Sequence, residues 1–198
     1  MLQATNRLAE AEPLIRRVVD ILEKVERDTG GMHLHFAGAL NNLAALLQAT
    51  NRLVEAEPLI RRALAIDEKS FGPDHPNVAI RLINLASLLQ DTNRATEAEP
   101  LMRRALAIDE MSFGPGHPEV ANDLFNLAHL LKATSRLDNA EQLLRRAVGI
   151  YVEFTLRTGH RHPHLDAAFG NYAALLAAMG KSQAEIDAAR AELMRPLS

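Results

Sequence analysis

Apolar positions recur along this chain at i, i+3, i+4 and i+7, the spacing of a helix with one buried face. Leu53, Ala56, Leu59, Ile60, Ala63 and Leu64 form one such stripe. Glu57 and Arg61 stand on another face at i,i+4, in the favourable acid-first order. Leu82, Leu85, Ala86 and Leu89 repeat the pattern in a second kind of segment. The ends are marked as well. Ser-Phe-Gly-Pro at 70–73 and 112–115 puts Gly just past a helix and Pro after it. His-Pro at 75–76, 117–118 and 162–163 puts Pro at the first turn of the next helix. Pro58 and Pro100 lie inside the apolar pattern, and a proline is harmless only in a first turn, so those helices are expected to start near Val54 and Thr96. The pattern predicts helices near 7–27, 35–49, 53–70, 76–91, 95–112, 118–133, 137–157, 163–179 and 182–194. Ser182-Gln183-Ala184-Glu185 opens the last as a capping box.

The segments are copies of one another. LQATNRLAEAEPLIRR at Leu2–Arg17 returns as LQATNRLVEAEPLIRR at Leu47–Arg62, LQDTNRATEAEPLMRR at Leu89–Arg104 and LKATSRLDNAEQLLRR at Leu131–Arg146. Between them runs a second element: ALNNLAALLQ from Ala39, RLINLASLLQ from Arg81, DLFNLAHLLK from Asp123 and AFGNYAALLA from Ala168. Most spacings are 42 residues. Alternating helical segments at a fixed period predict an all-α fold, an α-solenoid of antiparallel helix pairs with about nine helices. The expected division is a single repeat domain over 1–198. It holds a partial first repeat at 1–34 lacking its first helix, repeats at 35–75, 76–117 and 118–162, and a C-terminal repeat or cap at 163–198. Met1 and Leu2 match Leu46 and Leu47, so the chain opens in mid-repeat. The first helix is expected to carry an uncovered apolar face, as in a fragment of a longer array or a surface that packs on another chain.

Leu82, Leu85, Ala86, Leu89, Ala98, Met102 and Ala105 fall at the spacing of the tetratricopeptide signature: large, Leu, small and large on helix A, then small, large and small on helix B. The 42-residue period exceeds the 34 of a standard repeat. The pattern LNNLA…EAEPL.RRAL.I.E…G.DHP.VA resembles the longer repeats of kinesin light chain and its bacterial relatives, over nearly the whole chain. HEAT repeats have a similar period, but their helix pairs do not share this Ala spacing. Ala86 and Ala98 stand where two helices must approach closely, and a larger side chain there is expected to overpack by roughly 1–3 kcal/mol. The usual Tyr near the end of helix A is Leu here, at Leu47, Leu89 and Leu131.

Composition agrees with that reading. Among 198 residues there are 32 Ala and 31 Leu, the strongest helix formers, and no Cys or Trp. The absence of Cys excludes a disulfide framework, a thiolate metal site or a Cys nucleophile, and fits a cytoplasmic setting. The net charge of −3 comes from both signs spread throughout, so neither a nucleic-acid surface nor a disordered acidic tail is expected. The longest apolar run, Ala173–Met179, is far short of a membrane span.

The resemblance implies that the A helices line a concave groove holding a peptide or partner segment. The implied groove positions include Asn41, Asn42, Ile80, Ile83, Asn84, Asn122, Phe125, Asn126, His129 and Asn171. One position is Asn in every copy: Asn42, Asn84, Asn126 and Asn171. A primary amide donates to a carbonyl and accepts from an N–H, so a ladder of amides can hold an extended backbone whatever its sequence. The same amides could instead bond between neighbouring helices, and both readings stand at this point. A carboxylate clamp is not expected, because its matching residues are Gly38, Ile80, Asn122 and Ala167, none cationic. Ile80, Ile83 and Phe125 would offer apolar pockets in mid-groove.

Other chemistry is not expected. The paired arginines at 16–17, 61–62, 103–104 and 145–146 follow Glu12, Glu57, Glu99 and Glu141 by four residues, which points to local ion pairs on a solvated convex face. The cluster His160, His162, His164 and the weaker pair His33, His35 could take a metal. However, His75 and His117 share the repeat position of His162, which makes that residue part of the turn. No metal or cofactor is expected. No nucleophile with a base at motif spacing, no phosphate loop and no HExxH motif is present, so no enzyme is expected. The Asp-Glu pairs at 67–68 and 109–110 look like surface charge. The expected function is a non-catalytic protein-interaction scaffold. The alternatives are a homo-oligomerisation element working through the uncovered first helix, or the sensor part of a larger regulator or effector.

Overall fold

The computed structural model describes residues 2–29 and 34–195. Met1 and His33 lie outside that range, and with them the His33–His35 pair. Nine helices and no strand form among the described residues: α1 (Leu2–Thr29), α2 (Leu34–Ala49), α3 (Leu53–Phe71), α4 (Pro76–Asp91), α5 (Ala95–Phe113), α6 (Pro118–Ala133), α7 (Leu137–Thr158), α8 (Leu165–Ala178) and α9 (Gln183–Met194). The all-α expectation holds, and most predicted boundaries fall within two residues of those observed.

The chain divides into two compact units, Met1–Leu101 and Met102–Ser198, the division falling inside α5. In the first unit α1 packs on α2, α2 on α3 and α3 on α4. Phe36, Leu40, Leu47, Ile60, Leu82, Leu85, Leu88 and Leu89 are its largest enclosed side chains. The small signature residues Ala44, Ala56, Ala86 and Ala98 have no exposed surface, as close helix approach requires. In the second unit α6 packs on α7, and both α7 and α8 pack on α9, with α7 also against α8. Its core is built on Met102, Ile108, Leu124 and Tyr151.

The turns after α2, α4 and α6 use the repeated Thr-Asn-Arg or Thr-Ser-Arg. Asn51, Asn93 and Ser135 take positive φ near 60°. The N–H of Arg52 reaches the carbonyl of Leu47, and that of Asn51 the carbonyl of Gln48. These are the two bonds of a Schellman ending, with Asn where Gly is commonest. The Thr50, Thr92 and Thr134 hydroxyls donate to the last carbonyls of their helices. Leu2–Arg7, identical to Leu47–Arg52, is instead helical within α1. The same six residues thus form helix in one copy and end a helix in another.

The second boundary is built from the Phe-Gly-Pro…His-Pro motif. The Phe71 ring stacks on His75, and Phe113 on His117. Each histidine caps the following helix: Nδ1 accepts the N–H of Asn77 or Glu119. Such a side-chain cap stabilises by about 1 kcal/mol and requires the neutral ring.

Two expectations are corrected here. Pro58 and Pro100 do not sit in a first turn; α3 begins at Leu53 and α5 at Ala95, which places each proline sixth in its helix. Each therefore removes one backbone bond, and in α3 the carbonyl left over belongs to Val54, the most exposed large apolar residue. The Asp-Glu pairs are not simply surface charge. Asp67 is 1% exposed and Asp109 8%. Asp67 Oδ2 accepts from Arg81 Nε at 2.8 Å, joining α3 to α4.

On α1, Leu14, Val18 and Ile21 are 66%, 47% and 53% exposed. The expected uncovered apolar stripe is present.

Candidate functional site

In the first unit, α2 carries Asn41 and Asn42, and α4 carries Ile80, Ile83 and Asn84. Ile80 and Asn42 are exposed, and the other three half-buried. The Asn84 amide Nδ2 donates to Asn41 Oδ1 at 2.7 Å. For Asn84 the bond between neighbouring helices is therefore realised, and it runs to Asn41 rather than to the repeat-equivalent Asn42. The Asn84 carbonyl oxygen and the Asn41 amide hydrogens lie outside that bond.

In the second unit, α6 and α8 form the walls of two adjoining cavities. One, of about 260 Å³, is lined by Phe125, Asn126, His129, Lys132, Leu144 and Asn171, with Ala128 and Ala174. The other, of about 160 Å³, is lined by Asn122, Phe125, Tyr151, His164 and Asn171, with Ala167 and Ala168. Phe125 and Asn171 line both. The helical period explains the lining, because positions 122, 125, 126 and 129 share one face of α6. Asn122, Phe125, Asn126, His129 and Asn171 are thus brought together. Asn126 and Asn171 line the larger cavity together with Phe125. Asn122 differs from them: its Oδ1 accepts the Tyr151 hydroxyl at 2.7 Å and its Nδ2 donates to Glu119. Its amide shapes the wall.

Tyr151 is a site residue the sequence reading missed. It is fully buried, and burial pushes its phenol up to about 12. Its ring stacks on His162 at 4.1 Å and faces Phe125 at 5.9 Å. The signal was its position: copies two and three place Asp67 and Asp109 there. His162 is held edge-on by Phe154, and its Nδ1 accepts the N–H of His164. Burial, with His164 nearby, lowers the His162 pKa. Among the described residues, no three His, Cys, Asp or Glu side chains converge as a metal site needs.

The expected i,i+4 ion pairs form at Arg16–Glu12 and Arg61–Glu57. They are joined across repeats by the turn arginines: Arg52 reaches Glu12 and Glu55, and Arg94 reaches Glu57 and Glu97. Arg52 and then Arg16 hold the Glu12 carboxyl below its usual range. In the last copy Glu141 instead accepts the Tyr172 hydroxyl, and Arg145 pairs with Glu192. No described helix is long and apolar enough to cross a membrane.

These elements define a helical-repeat protein whose A helices carry one repeated polar and apolar face. The tetratricopeptide repeat profile matches residues 35–111 and 82–151, and the chain belongs to that family. The family is generally one of non-catalytic scaffolds that bind protein partners. No curated protein sequence matches. Solved structures show the same fold. BtubC (BKLC) from P. vanneervenii is 23% identical with a TM-score of 0.79, over 98% of this chain and 74% of that one. The nearly identical TPR-like repeats of a kinesin light chain-like protein from Podosopora anserina are 24% identical with a TM-score of 0.76, over 98% and 89%. YrrB, described as a TPR protein with an unusual peptide-binding site, is 16% identical with a TM-score of 0.57, over 96% and 82%.

Proposed function

We propose that this chain is a non-catalytic, cytoplasmic scaffold that holds an extended peptide or partner segment against its A helices. The supporting observation is the pair of adjoining cavities between α6 and α8, with Asn126 and Asn171 lining the larger. The two amides meet the backbone of the bound segment, and the two cavities take its apolar side chains. Asn42 and the Asn84 carbonyl offer the same chemistry within the first unit. The mechanism is pre-organisation: rigid helices present fixed donors and acceptors, so little ordering cost falls on the scaffold. YrrB's peptide-binding site makes the mode a natural one for this fold.

The test is a segment selected from a random peptide library against the intact chain. The double variant Asn126→Ala, Asn171→Ala removes two backbone hydrogen bonds, each of about 0.5–1.5 kcal/mol. Its affinity is expected to fall roughly five- to hundredfold with the unfolding curve unchanged. Unchanged affinity in the double variant would remove the amides from the account.

The exposed stripe on α1 supports a second reading, self-association through Leu14, Val18 and Ile21. Light scattering over a concentration series is expected to show the mass rising toward two chains, and Val18→Glu to prevent it. A single-chain mass throughout contradicts this reading.

A further inference from the structure

Among the described residues, buried charge has one recurrent place, the contact between the end of a B helix and the second turn of the next A helix. Asp67 and Arg81 occupy it in one copy. The residues 42 positions later are Asp109 on α5 and Asp123 on α6, so the arginine of the first pair is replaced by a second carboxyl. Copies one and four carry Leu22 with Ala39 and Tyr151 with Ala168, with no charge at all. Asp109 and Asp123 are 8% and 5% exposed and lie close enough for each to act on the ionisation of the other. Asp109 Oδ1 and Asp123 Oδ2 are buried with no hydrogen-bond partner.

Two ionised carboxylates cannot share such a place, whereas one proton between them removes one of the two buried charges. The surroundings offer little relief. Glu110 on α5 and Glu119 on α6 add negative charge, and His117 in the turn acts in the other direction on Asp109. On α7, Arg146 is committed to Glu110 at 2.5 Å and to the Pro115 carbonyl. Burial is the first cause that raises both carboxyls, and the partner aspartate is the next for Asp123.

We propose that Asp109 and Asp123 share a proton and form a pH-sensitive latch between α5 and α6, which seats α6 when protonated and loosens it when both ionise. Since α6 carries Asn122, Phe125, Asn126 and His129, the latch regulates the groove; that consequence rests on the groove reading, but the latch does not. The direction follows from proton linkage. The seated state holds more protons than the open one between the ordinary carboxyl range and the raised one. Opening therefore becomes easier as pH rises through that window and levels off above it.

Carboxyl-carbon NMR on the intact chain tests the latch directly. Asp123 is expected to titrate near neutrality, and titration of both aspartates near 4 would overturn the proposal. Hydrogen exchange of α6 amides, corrected for intrinsic rates, provides the second readout. The opening constant is expected to rise up to tenfold per pH unit between pH 5 and 7 and then level. Asp123→Asn keeps a donor without a titration and should abolish that slope. Asp123→Arg should abolish it by rebuilding the Asp67–Arg81 arrangement. The same slope in the wild type and both variants would overturn the proposal. If the slope is present while affinity for the selected peptide does not follow pH, the latch stands and only its link to the groove fails.

Discussion

Replacing Arg81 with alanine is expected to destabilise the first unit by about 3–5 kcal/mol, among the largest effects of any single change in this chain. Asp67 is almost wholly enclosed, and Arg81 Nε is its only bonded cation among the described residues. Removing the arginine strands a carboxylate where water cannot reach it, and that penalty, not the attraction lost, makes the effect large. The double variant Asp67→Ala, Arg81→Ala removes the stranded charge and is expected to recover much of the loss. Denaturant unfolding of the four proteins of this cycle checks the prediction. A loss below 1 kcal/mol for Arg81→Ala would show that the pair is better solvated than its burial indicates. Surface pairs such as Arg61–Glu57 stand in contrast, at about 0–1 kcal/mol.

Tyr151→Ala is the second large effect, at about 3–5 kcal/mol in the second unit. The side chain is among the largest fully buried ones, stacked on His162 and facing Phe125. Its removal opens a cavity and frees Asn122 from the hydroxyl that holds it. Tyr151→Phe keeps the ring and is expected to cost only about 1 kcal/mol. The comparison by thermal and denaturant unfolding separates packing from the hydrogen bond. An Ala variant no worse than the Phe variant would show that the ring contributes nothing.

The fold was legible because the determinants were local and repeated. Gly72 and Gly114, the helix-capping His75 and His117 and the small residues at Ala44, Ala56, Ala86 and Ala98 each state their own task. The candidate site was partly legible: the period of α6 brings Asn122, Phe125, Asn126 and His129 to one face, and Asn171 lines the two cavities beside them. What was not legible depended on partners distant in sequence. Asp67 reads as surface charge until Arg81 arrives from the next helix. Asn84 and Asn126 occupy the same repeat position, yet Asn84 donates to Asn41, a position that the next two copies fill with Ile83 and Phe125, which accept no hydrogen bond. The identical residues Leu2–Arg7 and Leu47–Arg52 show the limit most clearly, one helical and one ending in a turn. Pro58 makes a related point: the helix continues before it because tertiary packing outweighs one missing backbone bond.

In the proposed function the α6–α8 face receives an extended segment. Amide and side-chain NMR of the intact chain, titrated with the library-selected peptide, tests this most directly. The largest shifts are expected at Asn122, Phe125, Asn126, His129 and Asn171, with those on the ion-paired face of Arg145 and Glu192 unchanged. Shifts centred on that outer face, with Asn126 and Asn171 silent, would contradict it.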